Sequence, residues 1–142
     1  MNVSAKTEYA SIAMVELAAR YQSEQPARLR DIATSQGIPQ QFLVQIMSQL
    51  KAAGLVTSTR GASGGYRLVE HPANITLADI VAVVEGNAGE ASSALARPTP
   101  TANALGRVWN EIAESRLTIL RQVTLETLAQ QVGRTSQEMF YI

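Results

Sequence analysis

The 142-residue sequence predicts a mainly α-helical fold carrying one small β-hairpin (α+β), and three observations lead there. Apolar residues recur at helical spacing on both sides of a single glycine-rich break, "STRGASGGYRLV" at 58–69. The segments flanking its glycines, "LVTSTR" and "YRLVEH", are rich in the β-branched and apolar residues that favour strands. Two of the earlier helical stretches are separated only by "QGIP", a turn short enough to fold them into a tight corner.

The first helix is predicted from about residue 4 to residue 22. Ala10, Met14, Leu17, Ala18 and Tyr21 share a side, Ser4 is the candidate N-cap, and Pro26 closes the segment. "RLRDIATSQGI" reads as a short helix with Leu29, Ile32 and Ala33 inward and Gly37 as its stop. "PQQFLVQIMSQLKAAG" is the next helix, with Pro39 near its first turn and Gly54 just past its end. Its two sides differ: Leu43, Ile46, Met47 and Leu50 are suited to a core, while Gln41, Val44, Gln45 and Ser48 face the other way.

Helix, glycine turn and helix make a helix-turn-helix outline, although such corners are common in small helical proteins. The hairpin that follows directly narrows the reading to a winged helix-turn-helix. Its glycines, Gly61, Gly64 and Gly65, are expected to let the tip lie close against a partner surface, with Arg60 and Arg67 on either side. A nucleotide-binding phosphate loop is excluded, because no Lys follows the glycines and a strand, not a helix, comes next.

Charge supports a nucleic-acid partner only locally. The chain is neutral, with 12 Lys+Arg against 12 Asp+Glu. From Arg28 to Val69 there are five basic residues (Arg28, Arg30, Lys51, Arg60, Arg67) and one acidic residue, Asp31. From His71 onward, five Arg face seven Asp+Glu. A basic face of this kind serves phosphates even in a neutral protein.

The predicted interface with double-stranded DNA therefore has three parts. Gln40, Gln41, Val44, Gln45 and Ser48 would read bases, glutamine pairing with adenine and valine touching a thymine methyl. Lys51, Arg60 and Arg67, helped by Arg28, Arg30 and Lys6, would attract phosphates. Ser63, Gly64 and Gly65 would form the wing tip. A plain polar helix surface and a solvated hairpin are the bland alternatives.

"NITLADIVAVVEG" is read as a helix capped near Thr76 and running to Gly86, with Ile80, Val81, Val83 and Val84 inward. "NAGEASSALARPTPTAN", residues 87–103, has no periodicity and is read as a loop. A long helix follows with two apolar stripes: Leu105, Val108, Ile112, Ile119 and Val123 form one, and Trp109, Ala113, Leu117 and Leu120 the other. Two stripes exceed what one core contact requires. One is expected to face its own domain and the other a second copy, making a homodimer through Leu105, Val108, Trp109, Ile112, Leu117 and Leu120. A short helix capped at Thr124 ends near residue 133, and 134–142 is read as a tail. The organisation expected is thus a winged helix-turn-helix domain over 1–86, a loop over 87–103, and the dimerisation helix with a short helix over 104–133.

Several classes are excluded or disfavoured. Cysteine is absent, which removes disulfides and thiolate-held metal centres. No metal site, cofactor or catalytic set is expected, since His71 is the one histidine and no paired acids accompany it. No apolar run is long enough for a membrane span, and the N-terminus lacks the apolar stretch of a signal peptide, so the expected location is the cytoplasm. A winged helix that binds another protein rather than DNA is the alternative from a different class.

The motif order "LRDIATSQGIPQQFLVQIMSQLKAAGLVTSTRGASGGYRL" followed by "ITLADIVAVVEG" resembles the Rrf-two family of bacterial winged-helix transcription regulators. The likeness covers most of residues 3 to 86, and the later "VW" and "TL" segments are similar to the family's dimerisation helix and the short helix after it. The resemblance implies a homodimeric repressor presenting two recognition helices and two wings to a roughly palindromic operator. It also implies base-facing roles for Gln41 and Gln45, a wing role for Arg60, and a tip formed by Gly64 and Gly65. Val44 stands where relatives place Glu, and Thr7 and Glu8 stand where they place Gly-Arg. Many relatives hold an iron–sulfur cluster with three cysteines before the long helix; this chain has none, so the resemblance implies control by a regulatory protein or a small-molecule effector, or no regulation at all.

Overall fold

The computed structural model describes residues 2–86 and 98–140. Among them the order is α1 (Ala5–Ala19), α2 (Leu29–Gln36), α3 (Gln40–Ala52), β1 (Val56–Thr59), β2 (Gly65–Leu68), α4 (Leu77–Glu85), α5 (Pro100–Gln122) and α6 (Leu125–Phe140). Tight 3₁₀ turns lie at Tyr21–Ser23 and Pro72–Asn74. The fold is mainly helical with a single antiparallel hairpin, as the sequence predicts.

Local chemistry explains where the elements start and stop. Ser4 Oγ accepts the Thr7 N–H at 3.2 Å and opens α1. Thr76 and Asp79 make a reciprocal capping box at α4, and Thr99 caps α5. Such caps satisfy N–H groups that would otherwise be orphaned. Gly37, at φ 67°, ends α2 in the left-handed region and redirects the chain into α3.

The core gathers between the first three helices, the hairpin and α4. Met14, Ile32, Leu43, Ile46, Met47, Leu50, Ile75 and Ile80 are fully buried, so the apolar side assigned to α3 from sequence is the packed one. Leu125, at the start of α6, is also fully buried there. Short backbone bonds fix this return: Leu77 N–H donates to the Val123 carbonyl at 3.0 Å, and Leu125 N–H to that of Ile75 at 2.9 Å. The last helix therefore packs on α1 rather than staying with α5. It also continues to Phe140, so residues expected to be tail are helical.

The hairpin pairs Val56 with Leu68 and Thr59 with Gly65. Ala27 adds a rung outside it, exchanging two backbone hydrogen bonds of 2.8 Å with Tyr66. Here the reason for two glycines differs from the expectation. A Cβ on Gly64 would lie 2.2 Å from the Thr59 carbonyl oxygen, and one on Gly65 would lie 2.5 Å from that of Ala27. Their missing side chains serve closure of the turn and docking of the wing on its own domain; the close approach is intramolecular.

The segment expected to be a loop over 87–103 lies outside the described residues up to 97, and its end is helical, because α5 begins at Pro100. No residue of α5 is buried. Its half-covered residues are Ala102, Gly106, Ala113, Arg116 and Leu120, and the helix packs against α4, where Arg116 meets Glu85. Leu105, Val108, Trp109, Ile112, Leu117 and Ile119 are exposed together. The two predicted stripes are thus divided differently: Trp109 and Leu117 join the open side, and Leu120 is half-covered by its own chain.

Candidate nucleic-acid interface

Placing the buried residues of α3 inward leaves Gln41, Gln45 and Ser48 pointing outward, since an α-helix turns about 100° per residue. Gln40, Val44 and Lys51 flank that face on one side. All six are exposed, and Val44 keeps 49% of its surface accessible, which is a large fraction for a branched apolar side chain. On the other flank stands Phe42, 50% exposed and edge-on to Tyr9 at 6.3 Å. The sequence reading omitted Phe42. Its phase, between the packed and polar faces of the helix, was the signal.

Among the described residues, one side-chain bond joins the wing to this helix. Lys51 Nζ donates to Ser58 Oγ at 2.6 Å, joining the last turn of α3 to β1. Two ammonium hydrogens remain for other acceptors. Arg60 is exposed at the start of the turn, and Ser63 at its tip.

A cavity of about 530 Å³ separates the wing tip from the start of α2, with Arg28 on one wall and Ala62, Ser63 and Gly64 on the other. Arg28 and the tip are therefore neighbours, which sequence spacing does not reveal. Arg67 is not part of this group. It lies on β2 opposite Thr57 and lines a different cleft, beside the end of α1.

The helix starts show a pattern. Side chains cap α1, α4 and α5, but neither Arg28 at α2 nor Pro39 at α3 makes a side-chain capping bond. The starts of both helices in the corner thus lack a side-chain cap, although in α2 the Asp31 N–H turns back to the Arg28 carbonyl at 3.1 Å. Lys6, suggested as a phosphate contact, is half-buried on α1. Thr7 beside it is buried and donates to Glu85 Oε1 at 2.8 Å, which gives position 7 a structural task.

His71 also has a structural task. Its Nδ1 accepts the Ala73 N–H at 3.0 Å and lies 3.6 Å from Glu126 Oε2, and its ring meets Tyr21 edge-on. Among the described residues no three His, Cys, Asp or Glu side chains gather as a metal site, and no helix is long and apolar enough to cross a membrane.

Comparison with known proteins agrees with this geometry. A family profile described as "Rrf2: Iron-dependent Transcriptional regulator" matches residues 3–131. The HTH-type transcriptional regulator CymR of Bacillus subtilis (strain 168) is 37% identical over 143 residues, spanning 100% of both chains. The solved structure of CymR, the global cysteine regulator of B. subtilis, matches with a TM-score of 0.80 at 36% identity, covering 92% of this chain and 98% of that one. IscR from T. potens matches with a TM-score of 0.74 at 32% identity, covering 92% and 88%. The residues here do not fit a cysteine-held iron–sulfur cluster, because the sequence contains no cysteine. With the corner, the wing and these relatives in agreement along nearly the whole chain, the protein belongs to the Rrf2 family of helix-turn-helix transcriptional regulators.

Proposed function

We propose that the protein is a homodimeric repressor that binds a roughly palindromic operator in the cytoplasm and does not sense through a cysteine-ligated cluster. The bond from Lys51 to Ser58 carries this reading, because it joins the polar face of α3 to the wing so that one duplex meets both. In it, Gln41 and Gln45 pair with base edges in the major groove, Val44 touches a thymine methyl, and Gln40 and Ser48 complete the face. Arg60, Lys51 and Arg28 neutralise phosphates, and the uncapped starts of α2 and α3 offer backbone N–H groups to the same backbone. Ser63 follows the adjacent strand from a tip whose shape Gly64 and Gly65 set, and Arg67 contributes from the base of the wing.

The dimer supplies the second half-site. The open side of α5, with Leu105, Val108, Trp109, Ile112 and Leu117, is an apolar surface that monomers rarely leave bare. Pairing two copies there, with Leu120 at the margin, would set two recognition helices about one helical turn apart on the operator. Repression follows by occlusion of the promoter.

A titration of labelled promoter DNA followed by anisotropy tests this. Affinity is expected to fall linearly on a log–log plot as salt rises. Absence of binding at low salt, or binding indifferent to salt, would leave a protein-docking module as the better reading.

A further inference from the structure

A cleft of about 640 Å³ opens between the end of α1 and the wing, lined by Arg20, Tyr21, Glu24, Tyr66, Arg67 and His71 among others. Its size lies within the range of small-molecule sites, about 300–1,000 Å³. No part of the DNA-reading face of α3 contributes to it.

The cleft is rich in donors. Arg20 has a single ionic neighbour among the described residues, Glu16 at a distant 3.9 Å, and Arg67 has none. Neither the Tyr21 nor the Tyr66 hydroxyl makes a hydrogen bond among the described residues. The Ala73 N–H is bonded to His71 Nδ1, which leaves Nε2 as the ring nitrogen with no partner among the described residues. Against these stand Glu24 in the wall and, just outside it, Glu126 at 3.6 Å from His71 Nδ1 and Glu16 beside Arg20. Two guanidiniums and two phenols call for an occupant with several acceptor oxygens and negative charge.

Its position gives such an occupant leverage. One wall is the last turn of α1; the other is β2, at the point where Tyr66 and Ala27 exchange the two bonds that fasten the wing to the helical core. We propose that this cleft binds a small anionic molecule bearing carboxylate or phosphate groups, and that its occupancy lowers DNA affinity by drawing Arg67 and β2 away from the duplex. The second half rests on the DNA-binding reading above; the first does not. A phosphodiester backbone is the less suitable source of the anion, because the two tyrosines in the lining and the volume of about 640 Å³ suit a compact molecule. Linkage requires the effect to be mutual: operator DNA weakens the anion by the factor by which the anion weakens DNA.

The test is calorimetric titration of the full chain with succinate and, separately, with inorganic phosphate, each against potassium chloride of matched ionic strength. Anisotropy on promoter DNA is run in parallel. Saturable binding of either probe is expected, and the one that binds identifies the acceptor group. Arg20→Gln, a substitution at a half-exposed position outside the DNA face, is expected to weaken the probe about tenfold or more, as loss of a charge-assisted pair should. The same variant should bind DNA like the parent when no probe is present, and should lose the probe's inhibition. No saturable signal above the chloride control overturns the proposal, and so does probe binding that Arg20→Gln leaves intact. DNA binding that fails without any probe would instead refute the operator reading, while the calorimetry still decides the cleft.

Discussion

The hydroxyl of Thr7 donates to Glu85 Oε1 at 2.8 Å across seventy-eight positions of sequence, joining the first turn of α1 to the last residue of α4. Glu85 Oε2 lies 3.5 Å from Arg116 of α5, so a single carboxylate touches three helices. Ser4 Oγ completes the chain by donating to Thr7 Oγ1 at 2.9 Å.

Thr7→Val keeps the shape of the buried side chain and removes its hydroxyl. Chemical denaturation should show a loss of about 1–2 kcal/mol, the usual effect of deleting one partner of a part-buried bond. Glu85→Gln preserves an acceptor for Thr7 while discarding the attraction to Arg116. With both ionic side chains partly exposed, its cost should stay below about 1 kcal/mol.

Gly65→Ala should loosen the wing, since the new methyl would meet the Ala27 carbonyl. A loss of about 1–3 kcal/mol is expected from such overpacking. DNA affinity should fall with it, and amide exchange at Ala27 and Tyr66 should quicken. Gly61→Ala meets no neighbouring atom and is burdened only by its φ of 107°, so exchange at those two amides should be unchanged.

Arg60→Ala should weaken all DNA sequences alike and reduce the magnitude of the salt slope by about one unit. Gln45→Ala should instead act at particular base pairs, costing about 1–3 kcal/mol there and little elsewhere. Competition binding with a library of singly substituted operators separates the two patterns.

Leu117→Asp should yield monomers in light scattering. The position is exposed on the open side of α5, so the fold of a single chain should survive by circular dichroism. Leu120→Asp is a poorer probe, because that residue is half-covered by its own domain.

The packed face of α3 was legible in the sequence because four apolar residues at helical spacing leave no other side for the core, and Leu43, Ile46, Met47 and Leu50 are all buried. The corner and hairpin were legible for a similar reason: Gly37 and the wing glycines punctuate the pattern where the backbone turns. The purpose of Gly64 and Gly65 was not, since it depends on which carbonyls the fold brings beside them, and Ala27 is far away in sequence. The return of Leu125 to the core was hidden likewise, for a short amphipathic helix does not announce which surface it will cover. The division of the α5 stripes failed on angle. Arg116, a charged residue, sits on the side facing α4 because Glu85 awaits it there, and no hydrophobic count includes that pull.

The exposed length of α5 has a consequence for how the molecule is made and maintained. A twenty-three-residue helix with no buried residue, held to its own chain along one side only among the described residues, gains much of its support from a second copy, so mass action governs its persistence. Thermal melting should shift upward as the protein is concentrated. In a cell, the amount synthesised would then set the fraction of chains able to grip an operator with two hands, and occupancy would climb more steeply than abundance.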